Sequence, residues 1–420
     1  MQRASTEDRS LEDYEPYIDG QQRRAIRQHA DSLSDLRVAH VNSTASGGGV
    51  AEILRTLVPL SNDVGIDTDW LVMDAPAEFF DVTKAVHNGL QGDEIEFTDA
   101  MRDTYRRVTE ENAAGLDGSY DVIVLHDPQS LGMAATLATQ LPETTLVWRC
   151  HIDLTAANSA FLAFVRSNLD PIDRVIFSRA AYGREITGIE KDVVHPAIDP
   201  LTRKNRPLSA LSDGGTEATD LEAYPFDPDR PLLVQVSRFD PWKDPLGVVE
   251  AYRTVQQSVP GVQLVLAGAM PDDDPEGIEI YREVATETAD DPDIHLLTDL
   301  PDAGINAIQR GADIVLQKSL REGFALTVSE ALWKETPVVA TDVGGIPLQI
   351  EDGANGYLVD PSDLTAAADR LALLLENDER RRQFGERGRE MVRERFLTPR
   401  LVSDYLRLFS DLGAEFTRRG

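Results

Sequence analysis

The sequence predicts an α/β chain of two doubly wound domains. Three observations carry this. Apolar runs of strand length alternate with amphipathic helical stretches. The alternation breaks over the Pro-, Gly-, Asp- and Ser-rich stretch RPLSALSDGGTEATDLEAYPFDPDR (206–230) and then resumes. The length, 420 residues, exceeds one typical domain and suits two or three. Strands separated by helices pair in parallel and lie between helical layers. Ligands of such sheets bind beyond the carboxyl ends of the strands. Two such domains facing each other make a deep cleft, so function is sought in the loops that follow strands.

Residues 1–35 are a polar extension in which 23–33 read as helical. The first domain, 36–215, has strands at LRVAHV (36–41), DWLVM (69–73), YDVIVLHD (120–127), TLVWRCHID (145–153) and RVIFS (174–178). Val50, Ile53, Leu54, Leu57 and Val58 recur at helical spacing. A linker is placed at 216–230. The second domain, 231–395, has strands at PLLVQVS (231–237), VQLVLAG (262–268), IHLLTD (294–299), ADIVLQ (312–317) and PVVATDV (337–343), with helices such as 246–255 and 326–333 between them. From Asp378 to Leu412 the pattern is two charged amphipathic helices.

The net charge is -32, from 41 basic and 73 acidic residues. Such a field repels nucleic acid and anionic membrane surfaces. Only six of the basic residues are lysines: Lys84, Lys191, Lys204, Lys243, Lys318 and Lys334. That balance fits solubility at high salt and a salt-loving source. One cysteine, Cys150, excludes an internal disulfide framework and a cysteine-built zinc site. No apolar run reaches the ~20 residues of a membrane span, and the polar N-terminus lacks a signal-peptide core. The expected location is cytoplasmic.

Five loops carry chemistry. HVNSTASGGGVAEIL (40–54) sets Gly47, Gly48 and Gly49 between a strand and a helix. It is neither a dinucleotide fingerprint, because Glu52 stands where a third glycine belongs, nor a phosphate-binding P-loop, because Val50 replaces the lysine. It offers space and helix N-terminal amides. HDPQ (126–129) and RCHID (149–153) put His126, Asp127, His151 and Asp153 at strand ends. Metal ligation and an ordinary strand-to-turn transition both account for them. VSRFDPWKD (236–244) clusters Ser237, Arg238 and Lys243, suited to clamping a diphosphate. REGFALTVSEALWKETPVVATDVGG (321–345) has Glu322, then Gly323, then a helix expected to start near Phe324 or Ala325, with Glu330 eight residues past Glu322. That spacing corresponds to about 12 Å of helix rise. It suits a sugar at one end, a diphosphate at the helix N-terminus and a ribose beyond.

SRFDPWK, REGFALTVSE and ATDVGG resemble the donor-binding half of retaining family 4 glycosyltransferases of the GT-B fold, two facing Rossmann-like domains with a deep inter-domain cleft. With HVNSTASGGGVAEIL, APAEFFDVTKAVHNGLQG (75–92), VLHDPQ, WRCHIDL and MPDDDPEG (270–277), the chain closely resembles nucleotide-sugar-dependent trehalose synthases from about Leu36 to about Tyr405. The resemblance implies transfer of glucose from ADP-, UDP- or GDP-glucose to free glucose in α,α-1,1 linkage. It implies His151, Arg238, Lys243 and Glu322 as catalytic residues. Gly48, Gly49, Ser237, Arg238, Lys243, Thr298, Leu300, Glu322, Gly323, Phe324, Ala325, Leu326, Thr327 and Glu330 would bind the donor, with Glu330 on the ribose and the 298–300 loop flanking the base. Asn42, Asp127 and Asp153 would hold acceptor glucose. Residues 396–420 would form a helix crossing back to the first domain.

No obligatory metal is expected, Mg2+ being at most stimulatory, and a homodimer is implied. No carboxylate is an evident nucleophile, so front-face attack is expected, with a leaving-group oxygen taking the acceptor's proton. Alternatives are a trehalose phosphorylase, another α-glycosyltransferase, or a non-catalytic sugar- or nucleotide-binding regulator.

Overall fold

A computed structural model describes residues 1–116, 118–211, 219–268 and 275–419. Most of MPDDDPEG (270–277) and residues 212–218 of the 206–230 stretch lie outside them. The chain divides into two compact units, Met1–Ala197 with Thr398–Gly420, and Ile198–Leu397. The first break thus precedes the 206–230 stretch, whose described parts belong to unit 2.

Unit 1 holds strands β1 (Gln2–Arg3), β2 (Arg37–Asn42), β3 (Asp67–Val72), β4 (Val122–His126), β5 (Thr145–Cys150), β6 (Arg174–Phe177) and β7 (Glu190–Val193). Their order in the sheet is β1-β3-β2-β4-β5-β6-β7. All pairings are parallel except β1 against β3. Chain order reverses between β2 and β4, so this is the switch point at which such sheets open a crevice. Residues 1–35 are part of this unit. β1 caps the sheet edge, Arg3 pairs with Asp69 at 2.6 Å, and helix Gly20–Asp31 packs on the C-terminal helix Thr398–Arg419. That C-terminal helix also covers helix Gly49–Asp63.

Unit 2 holds β8 (Leu232–Val236), β9 (Gln263–Gly268), β10 (Ile294–Thr298), β11 (Ile314–Gln317), β12 (Val338–Thr341) and β13 (Gly356–Val359). All are parallel, in the order β10-β9-β8-β11-β12-β13. Its switch point lies between β8 and β11. Central strands of both sheets are buried along their whole length, which is why they read as apolar runs rather than alternating ones. The ten strands expected from the sequence are present. The three not foreseen, β1, β7 and β13, are sheet edges of two to four residues.

Candidate active site

In unit 1 the loops beyond β2, β4 and β5 converge at the switch point. After β2, residues 44–49 are exposed. Gly48 caps helix Gly49–Asp63 with extended backbone. A Cβ at Gly47 or Gly48 would meet nothing within 4 Å. Gly47 needs its glycine for a φ of +83°, but no packing requires one at Gly48. Asn42, by contrast, spends its amide on the fold: its oxygen accepts from Trp70 Nε1 at 2.7 Å and its nitrogen donates to Thr44 at 2.6 Å.

Asp127 sits just past β4 at a φ of +59°, a conformation Asp tolerates better than most residues. Its Oδ1 accepts the backbone N–H of His151 at 2.6 Å, and its carbonyl accepts Trp148 Nε1 at 3.0 Å. Burial pushes its carboxyl up to about 7. Asp153 caps its own turn, accepting the N–H of Thr155 at 2.9 Å. His126 and His151 are ring-bonded to each other at 3.1 Å, and His126 is also bonded to His40, at 2.9 Å. Burial pushes His40 down to about 3 and the other two well below the usual histidine range. All three are therefore neutral at pH 7. Arg149 is buried on β5, two residues before His151. One terminal nitrogen bonds Ser178 Oγ and the Val194 carbonyl, while its Nε and other terminal nitrogen have no hydrogen-bond partner among the described residues. Among the described residues, no group of three or more His, Cys, Asp or Glu is placed to hold a metal ion.

Unit 2 is built from ions. The loop after β8 turns through Ser237–Asp240 into the short helix Pro241–Lys243, capped by Asp240. Lys243 Nζ meets Glu322 Oε2 at 2.5 Å, and Ser319 Oγ donates to the same oxygen at 3.2 Å. Glu322 arrives from the loop after β11, so this pair spans the switch point. Lys318 is buried and pins Asp244, whose other oxygen caps helix Pro245–Gln256. Arg238 is 52% exposed and pairs only loosely with Asp240, at 3.0 Å. A Cβ at Gly268 would strike the Ser237 carbonyl at 2.2 Å, so the turn after β8 packs directly on the end of β9.

The helix expected from Phe324 or Ala325 runs Leu326–Trp333 instead. Ala325 caps it at a φ of +66°, so Glu322 and Gly323 lie on a loop and helix rise separates only Leu326 from Glu330. Gln349 holds that loop, donating to the Phe324 carbonyl while its oxygen accepts from Ser329 at 2.5 Å. A Cβ at Gly345 would meet the Gly323 carbonyl at 2.6 Å. Glu330 is 1% exposed. Its Oε1 faces Lys204 at 3.4 Å, and among the described residues its Oε2 has no hydrogen-bond partner. Thr327 Oγ1 donates to Gln317. Thr298 and Leu300 flank the end of β10, an edge strand two places from β8.

Residues 40–184 match the family model described as the N-terminal domain of trehalose synthase, and 217–391 match that for group 1 glycosyl transferases. The chain is 43% identical to the trehalose synthase of Rubrobacter xylanophilus over 98% of this chain and 99% of that one. It is 42% identical to that of Thermococcus litoralis, over 96% and 97%. The chain belongs to the trehalose synthase family. It is thus a glycosyltransferase, and its two parallel-sheet domains are those of the GT-B fold. A solved α,α-trehalose 6-phosphate synthase from Burkholderia multivorans superposes with a TM-score of 0.72 at 16% identity, covering 92% of this chain and all of that one, which speaks for the fold alone. Among the described residues no helix is long and apolar enough to cross a membrane.

Four groups at this site escaped the reading of single motifs: His40, Lys204, Lys318 and Gln349. His40 carried a signal, since the strand ends VAHVN, VLHD and CHID each offer one histidine on what proved to be neighbouring strands. The other three act across loops distant in sequence, and nothing local marks them.

Proposed function

We propose that this member of the trehalose synthase family is a retaining glucosyltransferase that makes trehalose from a nucleoside-diphosphate glucose and free glucose, reversibly. The observation that carries the reading is the Lys243–Glu322 pair. A cation and a carboxylate are held 2.5 Å apart on the two loops flanking the switch point of unit 2, beside the amide end of helix Leu326–Trp333. A diphosphate at those amides takes Lys243 and Arg238 as counter-charges. Glu322 accepts hydroxyls of the donor glucose. The orphaned Oε2 of Glu330 accepts from the ribose. In unit 1, Gly48 and Gly49 leave the backbone bare, His151 meets the donor sugar, and Asp127 and Asp153 hold the acceptor. A carboxyl near 7 can donate to or accept from a hydroxyl at neutral pH.

The bond from the anomeric carbon to the diphosphate breaks as the acceptor's anomeric oxygen bonds to the same face. The acceptor's proton passes to the departing phosphate oxygen. Preorganised cations and amides stabilise the negative charge that develops there. Donor binding needs no obligatory metal in this reading, and the acidic surface serves a homodimer soluble at high salt.

The test is incubation with ADP-, UDP- or GDP-glucose, with and without glucose, at high and low salt and with and without EDTA, the product being identified by NMR. Trehalose from at least one donor, surviving EDTA, is expected. No disaccharide from any donor overturns the reading, and breakdown of trehalose that depends on inorganic phosphate favours a phosphorylase. Light scattering checks the dimer.

A further inference from the structure

Glu330 lies inside helix Leu326–Trp333, and its side chain is 2% exposed. A carboxylate at that depth needs a counter-charge and partners for its oxygens. The sequence offers Lys334, four residues on, in the orientation that favours an ion pair along a helix. The structure engages Lys334 elsewhere. Its Nζ donates to Asn205 Oδ1 at 2.9 Å, to Gln309 Oε1 at 2.8 Å and to the Glu330 backbone carbonyl at 3.2 Å. Those acceptors use its three hydrogens. Burial also pushes Lys334 down to about 7, so it is only partly charged at neutral pH. The counter-charge comes instead from Lys204, whose Nζ stands 3.4 Å from Glu330 Oε1.

The stretch IDPLTRKNRP (198–207) opens unit 2 and is tied down on both sides of Lys204. Asn306, on helix Asp302–Gly311, donates to the carbonyls of Arg203 and Arg206, both at 2.8 Å. The Asn205 carbonyl accepts from Arg310 at 3.1 Å and from Trp333 Nε1 at 3.2 Å. Asn205 Nδ2 donates to the Asp199 carbonyl at 3.0 Å. Trp333 and Lys334 stand at the end of the helix that carries Glu330, so the lysine loop and the carboxylate are fixed to one element. We propose that Lys204 is a positioning residue of the nucleotide-sugar site. It balances the charge of Glu330 and engages Oε1, which leaves Oε2 to accept from one ribose hydroxyl of a nucleoside diphosphate. Oε2 is buried and has no hydrogen-bond partner among the described residues. Such an acceptor is the exception in a folded protein, and a ribose hydroxyl supplies the missing donor. This rests on the reading of Glu330 at the ribose.

The experiment is calorimetric titration of the full chain with ADP, UDP and GDP, which needs no turnover. The nucleotide that binds most tightly is then compared with its 2′-deoxy and 3′-deoxy forms. The unsubstituted protein is expected to favour the ribo form over one deoxy form by about tenfold or more, the range for a hydrogen bond to a charged group. Lys204→Met is expected to lose about that factor for the ribo form, to bind the deoxy form as before and so to discriminate no longer. Lys204→Arg is expected to recover most of the loss. In a Glu330→Gln background, where no carboxylate needs a counter-charge, Lys204→Met is expected to change affinity by less than about twofold, since the two substitutions then share one effect. Equal losses for ribo and deoxy forms in Lys204→Met overturn the proposal, as does an undiminished loss in the Glu330→Gln background, because the lysine then acts on the diphosphate or on the fold. No ribo preference in the unsubstituted protein overturns the reading of Glu330 at the ribose, and this proposal with it. If Lys204→Met fails to fold, the double variant with Glu330→Gln, which removes both charges together, is compared with Glu330→Gln and still decides it.

Discussion

Unit 1 and unit 2 are the same kind of sheet with opposite chemistry at the switch point. Unit 1 places neutral rings there: three bonded imidazoles and a carboxyl raised toward neutrality. Unit 2 places paired ions there, Lys243 with Glu322 and Lys318 with Asp244, and pairs Lys204 with Glu330 on the helix that follows. Depth explains part of the difference. His40 and His126 stand on the strands themselves and His151 directly follows β5, where burial favours the uncharged form. Lys243, Asp244, Lys318 and Glu322 of unit 2 sit past the ends of β8 and β11, each beside a partner of opposite charge. In the proposed function the neutral wall meets hydroxyl groups, and Lys243, with its one carboxylate partner, turns to a phosphate. With only six lysines in a chain of charge -32, the placement of three of them in these pairs is the stronger observation.

The sharpest way to break this contrast is Lys243→Ala. Turnover is expected to fall on the order of 10³-fold, the scale of losing one preorganised charge at a developing anion, with unchanged circular dichroism. Near-normal steady-state rates would show that the lysine only neutralises Glu322.

The second test is acid. An unfolded histidine binds a proton near 6.5, whereas folded His40 refuses one until about 3. Stability therefore falls as pH drops through that window, by about 1.4 kcal/mol per pH unit for each histidine so held. Asp127 runs the other way. Its folded value of about 7 binds a proton the unfolded chain releases, favouring the fold as pH falls from 7 toward 3.8. Three histidines outweigh one aspartate. Unit 2 has one histidine lowered in this way, the half-buried His295. Amide exchange between pH 7 and 5 is expected to loosen β2, β4 and β5 before β8, β11 and β12, and the reverse order would remove the contrast.

Third, Glu330→Ala is expected to weaken binding of the nucleotide sugar about 10- to 100-fold, the worth of a hydrogen bond to a charged group, while kcat changes little. Calorimetry showing unchanged donor affinity would leave Glu330 as the partner of Lys204 alone. The smallest effect is expected on stability for Arg238→Ala. Its pair with Asp240 is exposed and worth about 0–1 kcal/mol, so an unfolding midpoint shifted by more would mean that Arg238 is held more firmly than its exposure indicates.

Much of this was legible without coordinates. Strand and helix periods are local, so ten strands, the helix after Gly48 and the two tail helices could be read directly. Single-motif residues such as Lys243, Glu322 and Glu330 could be singled out because rare lysines and glycines punctuate loops. The start of helix Leu326–Trp333 could not, because nothing in FALT announces a left-handed alanine. That conformation stands in a loop held from outside by Gln349, where a Cβ at Gly345 would strike the Gly323 carbonyl. Asn42 looked free for a ligand because its partner, Trp70, lies 28 residues away on the neighbouring strand.

The sequence by itself determined two parallel sheets, the loops that end their strands and the family to which the chain belongs. Each of these depends on short-range periodicity or on contiguous motifs. Only the tertiary structure decided which side chains complete one another: that His40 stands behind His126 and His151, that Lys204 and not solvent faces Glu330, and that Lys318 is a buried prop. Those pairings depend on strand register and loop packing between distant segments, and no local pattern of residues encodes them.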